Sequence, residues 1–230
     1  MTIGIIGAMD EEIELLQSKM EHTTQQEIAG VLFIEGTLHG KSVVLLKSGI
    51  GKVNAAMSAT ILHERFNIDS VINTGSAGGF AKDLEVGDVV ISNLVTHHDV
   101  DVTAFQYEYG QVPGMPSMYP ADETLIEQAM AAVEKTNAKA KRGIIATGDS
   151  FMHEQSRVDF VRGKFPEMIA AEMEAAAIAQ VCYKYGTPFV VIRALSDIAG
   201  KASSVSFEEF LPKAAENAAV MIMTMVESLK

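Results

Sequence analysis

Apolar positions along this chain recur in two rhythms. Short, nearly unbroken apolar runs, the pattern of strands buried on both faces, cover residues 2–7, 70–74, 86–92, 142–147, 168–171 and 189–195. Helical spacing takes over in 10–20, 53–65, 122–136, 175–183 and 207–229. In 122–136, for example, Leu125, Ile126, Ala129, Met130 and Val133 fall on one face, which should pack on a sheet. The Ala-rich run 175–183 can end at Gly186, just before Pro188, while Pro212 marks a first turn or a kink in the last helix. Runs 31–38 and 42–47 flank His39-Gly40, a hairpin signal that puts antiparallel strands beside parallel ones. The order of elements predicts a single α/β domain over 1–230 with a mixed sheet and no internal repeat or linker.

Candidate chemistry gathers at the ends of these strands. Glu172 and Glu174 sit at the strand-to-helix turn after 168–171, and Ser196 and Asp197 lie just past 189–195. If those two strands are parallel neighbours, Glu174 and Asp197 emerge on one sheet edge, where open α/β sheets bind ligands. Taken singly, each acid also suits a helix N-terminus or a turn. Glu12 has the same two readings: it favours the acidic first turn of its helix, and it lies just beyond a strand end.

Two glycine stretches look like ligand loops. Gly49-Ile50-Gly51-Lys52 fails as a phosphate loop, because Leu46 stands where glycine is needed and Val53 where a metal-binding hydroxyl is needed, so helix-entry glycine is the better account. Gly75-Ser76-Ala77-Gly78-Gly79, after a buried-looking strand, has more small residues than a chain reversal needs and lets backbone N–H groups approach a ligand. The irregular stretch 96–120, carrying His97, His98, Asp99, Asp101 and three prolines, is long enough to be functional or an interface. Its His and Asp residues are adjacent, not at a recognised zinc spacing. Phe151, after strand 142–147, offers either a core aromatic or a face for a planar base.

Composition narrows the partners. A net charge of −12, with no basic stripe, argues against general nucleic-acid binding. Cys182, the only cysteine, lies in a helical run and is expected to be a buried, unreactive thiol, which suits a reducing cytoplasm. The chain starts directly on an apolar strand and reaches Asp10-Glu11-Glu12 without a basic leader, so neither export nor membrane insertion is expected.

The stretches GIIGAMDEE (4–12), LLKSGIGKVNAA (45–56), INTGSAGG (72–79), HDVDVTAF (98–105), AEMEAAAIA (171–179) and RALSD (193–197) together closely resemble the 5′-methylthioadenosine/S-adenosylhomocysteine nucleosidases of the purine nucleoside phosphorylase superfamily. The resemblance covers nearly the whole chain. It implies a three-layer αβα sandwich around a mixed, twisted sheet, usually a homodimer, and implies no metal or organic cofactor; the cytoplasmic setting is the one the cysteine content suits. The implied reaction is hydrolysis of the N-glycosidic bond of methylthioadenosine and S-adenosylhomocysteine, extending to 5′-deoxyadenosine, in methionine salvage and S-adenosylhomocysteine recycling. By the same resemblance Glu12 deprotonates the attacking water, Asp197 protonates N7 of the departing adenine, and Glu174 binds the ribose hydroxyls. Met173 packs on the ribose, Phe151 stacks on adenine and the backbone of Met152 meets its edge. Ser76 and Gly78 line the pocket, and Arg193 orders the water and Glu174. Val102, Phe105 and Pro113 match a segment lent to the neighbouring subunit's 5′ pocket. Asn73 stands where related phosphorylases carry an arginine.

Overall fold

The computed structural model describes residues 1–136, 139–200 and 203–229. Its sheet is mixed, as the hairpin signal required. Parallel strands β1 (Thr2–Gly7), β4 (Lys41–Lys47), β5 (Ser70–Gly79) and β10 (Phe189–Ile198) form one set, with β1 between β4 and β5 and β5 also beside β10. β3 (Val31–Leu38) pairs antiparallel with β4, and β2 (Glu21–Ile28) extends that wing antiparallel to β3. On the other side, β6 (Val89–His97), β8 (Ala140–Thr147) and β9 (Met168–Glu172) are parallel to one another, with the two-residue β7 (Tyr119–Pro120) on β6. β6 pairs antiparallel with β10 and β9 antiparallel with β5, so β10, β6, β8, β9 and β5 close on themselves.

Helices cover the sheet in two groups. α2 (Lys52–Arg65) packs with α5 (Ala175–Tyr185), while α6 (Ser203–Ser228) packs on α1 (Asp10–Lys19), α3 (Glu123–Thr136), β5 and β10. Pro212 lies inside α6. The apolar face expected for α3 is buried except for the half-buried Met130. Gly186 caps α5 in the left-handed conformation, φ 69°. α4 (Gln155–Lys164) contributes Val158 and Val161 to a small second core with Phe80, Met152, Phe165 and Met168. Cys182 is fully buried, and burial pushes its thiol up to about 12, which makes it inert at neutral pH.

The closed ring corrects the route by which the two acids were expected to meet. Strands 168–171 and 189–195 are not parallel neighbours; β5 lies between them, parallel to β10 and antiparallel to β9. Residues 75–79 are the second half of β5 and not a turn, and Ser196 and Asp197 belong to β10 rather than following it. The extension is irregular: Leu195 faces Ala77 and Asp197 faces Gly78, so Ser196 is the extra residue of a bulge that re-aims the strand end. β6 begins later than expected and runs on through His97, which shortens the long irregular stretch.

Candidate active site

A cavity of about 390 Å³ opens where β5, β9 and β10 converge, floored by Ser76, Ala77, Gly78, Ala171 and Glu172. Its wall includes Glu12, Met173, Glu174, Arg193 and Asp197, and its rim Met9, Ile50, Phe151, Met152, Phe207 and Glu208. Nine predicted site residues, Glu12, Ser76, Gly78, Phe151, Met152, Met173, Glu174, Arg193 and Asp197, therefore share one pocket. Val102, Phe105 and Pro113 do not line it; Phe105, in a short 3-10 turn over Thr103–Phe105, is 76% exposed.

Glu12 reaches the pocket because α1 begins directly after the β1 end. Its Oε2 accepts the N–H groups of Ala8 and Met9 at 2.8 and 3.2 Å, and its Oε1 accepts the N–H and hydroxyl of Ser76 at 2.9 and 3.0 Å. Four donors thus fix a carboxylate that is only 2% exposed. Gly75 makes the approach feasible: at φ +138° a Cβ there would lie 2.5 Å from both Glu12 Oε1 and Arg193 Nη1.

Asp197 is 2% exposed and faces Gly78, whose missing side chain leaves room for the carboxyl; a Cβ there would lie 3.2 Å from Oδ2. Ser196 Oγ donates to Asp197 Oδ1 at 3.0 Å. Burial pushes the Asp197 carboxyl up to about 6, against the opposing pull of that hydrogen bond. A carboxylic acid with this value is still protonated in about one molecule in ten at pH 7, far more often than an ordinary aspartate, and can donate that proton to a basic ring nitrogen.

Glu174 is the N-cap residue of α5, and its Oε1 accepts the Gly51 N–H at 2.9 Å. Burial pushes its carboxyl up to about 7; Arg193 pulls it down, while Glu172 and Glu12 add to the rise. The glycine stretch before α2 thus does more than start a helix, since Gly51 holds Glu174 and Ile50 sits at the rim.

Arg193 is fully enclosed. Its Nη2 donates to Glu172 Oε2 at 2.6 Å, to Asn73 Oδ1 at 2.9 Å and to Glu174 Oε2 at 3.3 Å, and Nη1 donates to the Ser76 carbonyl at 3.2 Å. The family resemblance implies that this guanidinium serves Glu174 and the water; its nearest carboxylate is Glu172, with Glu174 second. An acid closing a buried apolar strand was the available signal, since such a group needs a partner.

The His/Asp stretch after β6 holds the site together from behind. Lys52 Nζ donates to Asp99 Oδ1 at 2.6 Å, Asp99 Oδ2 accepts the Asp149 N–H at 2.9 Å, and Asp149 Oδ1 accepts the Lys52 N–H at 2.8 Å. This ties the start of α2 to the loop bearing Phe151, whose ring meets Phe207 edge-on with centroids 5.7 Å apart. Among the described residues no group of three His, Cys, Asp or Glu side chains is arranged to hold a metal, and no helix is long and apolar enough to cross a membrane.

Residues 2–227 match the family model of the phosphorylase superfamily. A 5′-methylthioadenosine/S-adenosylhomocysteine nucleosidase of Oceanobacillus iheyensis is 62% identical over 229 residues, covering 100% of both chains. The Neisseria meningitidis nucleosidase of the same name, solved in complex with methylthio-immucillin-A, superposes with a TM-score of 0.97 at 50% identity over 99% of each chain. A futalosine hydrolase of Helicobacter pylori has a TM-score of 0.94 at 34% identity, covering 99% of this chain and 98% of its own.

Proposed function

This chain belongs to the phosphorylase superfamily and, within it, to the 5′-methylthioadenosine/S-adenosylhomocysteine nucleosidases, and from that premise we infer that it hydrolyses the N-glycosidic bond of these two nucleosides. One observation carries the choice of water over phosphate. Among the described residues Arg193 is the only cation lining the cavity, and Glu172, Glu174, Asn73 and the Ser76 carbonyl already engage it. A phosphate dianion would meet Glu12, Glu172 and Glu174 without a free cation.

The roles follow from how charge develops. As the bond breaks, positive charge grows on the sugar and negative charge on the base. Asp197 supplies a proton to N7 and turns adenine into a competent leaving group. Glu12, with Ser76, holds a water at the anomeric carbon and takes its proton. Glu174 accepts hydrogen bonds from the ribose hydroxyls, Met173 packs on the ribose, and Phe151 with the Met152 backbone receives adenine. The exposed Phe105, with Val102 and Pro113, reaches the 5′ pocket of a second copy, so the working form is a homodimer. Residues 1–230 act as one catalytic unit in the cytoplasm, and 5′-deoxyadenosine, which shares the nucleoside core, is also a substrate. A monomeric species with full activity would remove the role given to Phe105.

Adenine release from purified protein, followed by absorbance with methylthioadenosine and with S-adenosylhomocysteine, tests the assignment. Turnover of both is expected. Binding without turnover would instead mark a nucleoside-binding scaffold.

A further inference from the structure

Glu172 is the one buried carboxylate of the pocket, among the described residues, to which the reaction above gives no task. It ends β9 with its side chain 3% exposed, and it is saturated with donors. One oxygen accepts the Thr147 hydroxyl of β8; the other accepts Arg193 Nη2 at 2.6 Å and the N–H groups of Glu174 and Ala175 at 2.9 and 2.8 Å. Thr147 Oγ1 in turn accepts the Ala176 N–H at 2.8 Å. Three strands and the first turn of α5 therefore meet at this carboxylate.

The contrast with Glu174 is informative. Both acids share Arg193 Nη2, but Glu172 lies 0.7 Å nearer, at 2.6 against 3.3 Å. Were Glu172 absent, the guanidinium would be free to close on Glu174, and a carboxylate locked in a full ion pair accepts sugar hydroxyls less readily. We propose that Glu172 is a positioning residue that occupies Arg193 and caps the first turn of α5, leaving Glu174 facing the pocket without a full ion pair, free to bind ribose. The proposal rests on the reading of Glu174 as the ribose-binding group.

The charged and polar surroundings of Glu174 are Arg193 from β10, Glu172 from β9, Glu12 from α1 and the Gly51 N–H ahead of α2. Glu172 in addition faces Thr147, and its field reaches His97 and His98, both held below the usual imidazole range by burial. Within this set, removing the Glu172 charge deletes a group that raises the Glu174 pKa and strengthens the one that lowers it.

The test is a double-mutant cycle on the full chain with methylthioadenosine, read as adenine release across pH. Glu172→Gln keeps an oxygen to cap the two N–H groups but loses the ion pair. It should raise KM about tenfold with a smaller change in kcat, and move the alkaline limb of kcat/KM, which Glu174 sets because its value lies above that of Asp197, down by about one pH unit. In the Glu174→Gln background the same change should alter kcat/KM less than twofold, because the group it acts through is gone. Glu172→Asp, which keeps the charge, should leave the alkaline limb at its wild-type pH even if the fold is weakened. An equal loss from Glu172→Gln in both backgrounds, or an unmoved alkaline limb, would overturn the proposal. Undiminished activity of Glu174→Gln alone would remove the ribose-binding reading itself, a separate result from a failed cycle.

Discussion

Replacing Asp197 by asparagine should remove a pH-dependent cost to the fold while it destroys the activity. The carboxyl is 2% exposed, and burial moves it from an ordinary 3.8 to about 6. A group whose native pKa is raised binds its proton more tightly when folded, so stability is lost as pH rises from the unfolded value through the native one. At about 1.4 kcal/mol per unit, the ionised carboxylate costs the fold at most about 3 kcal/mol above pH 7, and about half of that cost appears between pH 5 and pH 8. Asparagine does not titrate and escapes it. Urea unfolding at both pH values should therefore show Asp197→Asn gaining about 1 kcal/mol on wild type between pH 5 and pH 8, whatever its fixed offset from the altered hydrogen bond to Ser196. Turnover should fall by about 10²–10⁴, the usual worth of a general acid. A stability difference independent of pH would refute the claim that burial raises the proton affinity of this acid, and near-wild-type turnover would refute its role.

Three further outcomes follow from the same geometry. Glu12→Gln puts an amide among four donors that all point at it, and should lower kcat by about 10²–10⁴ while nucleoside binding, measured by calorimetry with a non-hydrolysable analogue, persists; retained turnover would exclude Glu12 as the base. Gly75→Ala forces a Cβ to 2.5 Å from Glu12 Oε1 and Arg193 Nη1, so unfolding free energy should drop by about 1–3 kcal/mol and activity with it, and an active variant of unchanged stability would show that the carboxylate and guanidinium are not held as closely as described. On the proposed roles Asp197, with a value of about 6, acts protonated and Glu174, with a value of about 7, acts ionised, so kcat/KM should pass through a narrow optimum between these values and fall on both sides; a flat profile from pH 5 to pH 9 would contradict the two assignments.

The strands that carry the site were legible because each is buried on both faces and reads as an apolar run. β1 and β10, for instance, were placed to within a few residues by their Ile and Val content. β2 was not, and the reason is physical: Glu21–Ile28 is exposed along nearly all its length as the edge of the wing, so no apolar alternation marks it. α4 was missed on similar grounds, since it buries only Val158 and Val161. The convergence of Glu174 and Asp197 was anticipated, but by the wrong route. Strand direction is set by pairings distant in sequence, and nothing local in 168–172 says that β9 lies antiparallel to β5. The bulge at Ser196 and the Glu172–Arg193 pair escaped for the same reason, because each depends on which backbone lies opposite, whereas Glu12, Glu174 and Asp197 were carried by their motifs.

Identifying the sugar product made from methylthioadenosine in the presence of rising inorganic phosphate tests the central claim most directly. With Arg193 already held by two carboxylates, free methylthioribose should be the product at every phosphate concentration, and the rate should change only as ionic strength does. A ribose 1-phosphate derivative that becomes the main product as phosphate rises would contradict hydrolysis at this site.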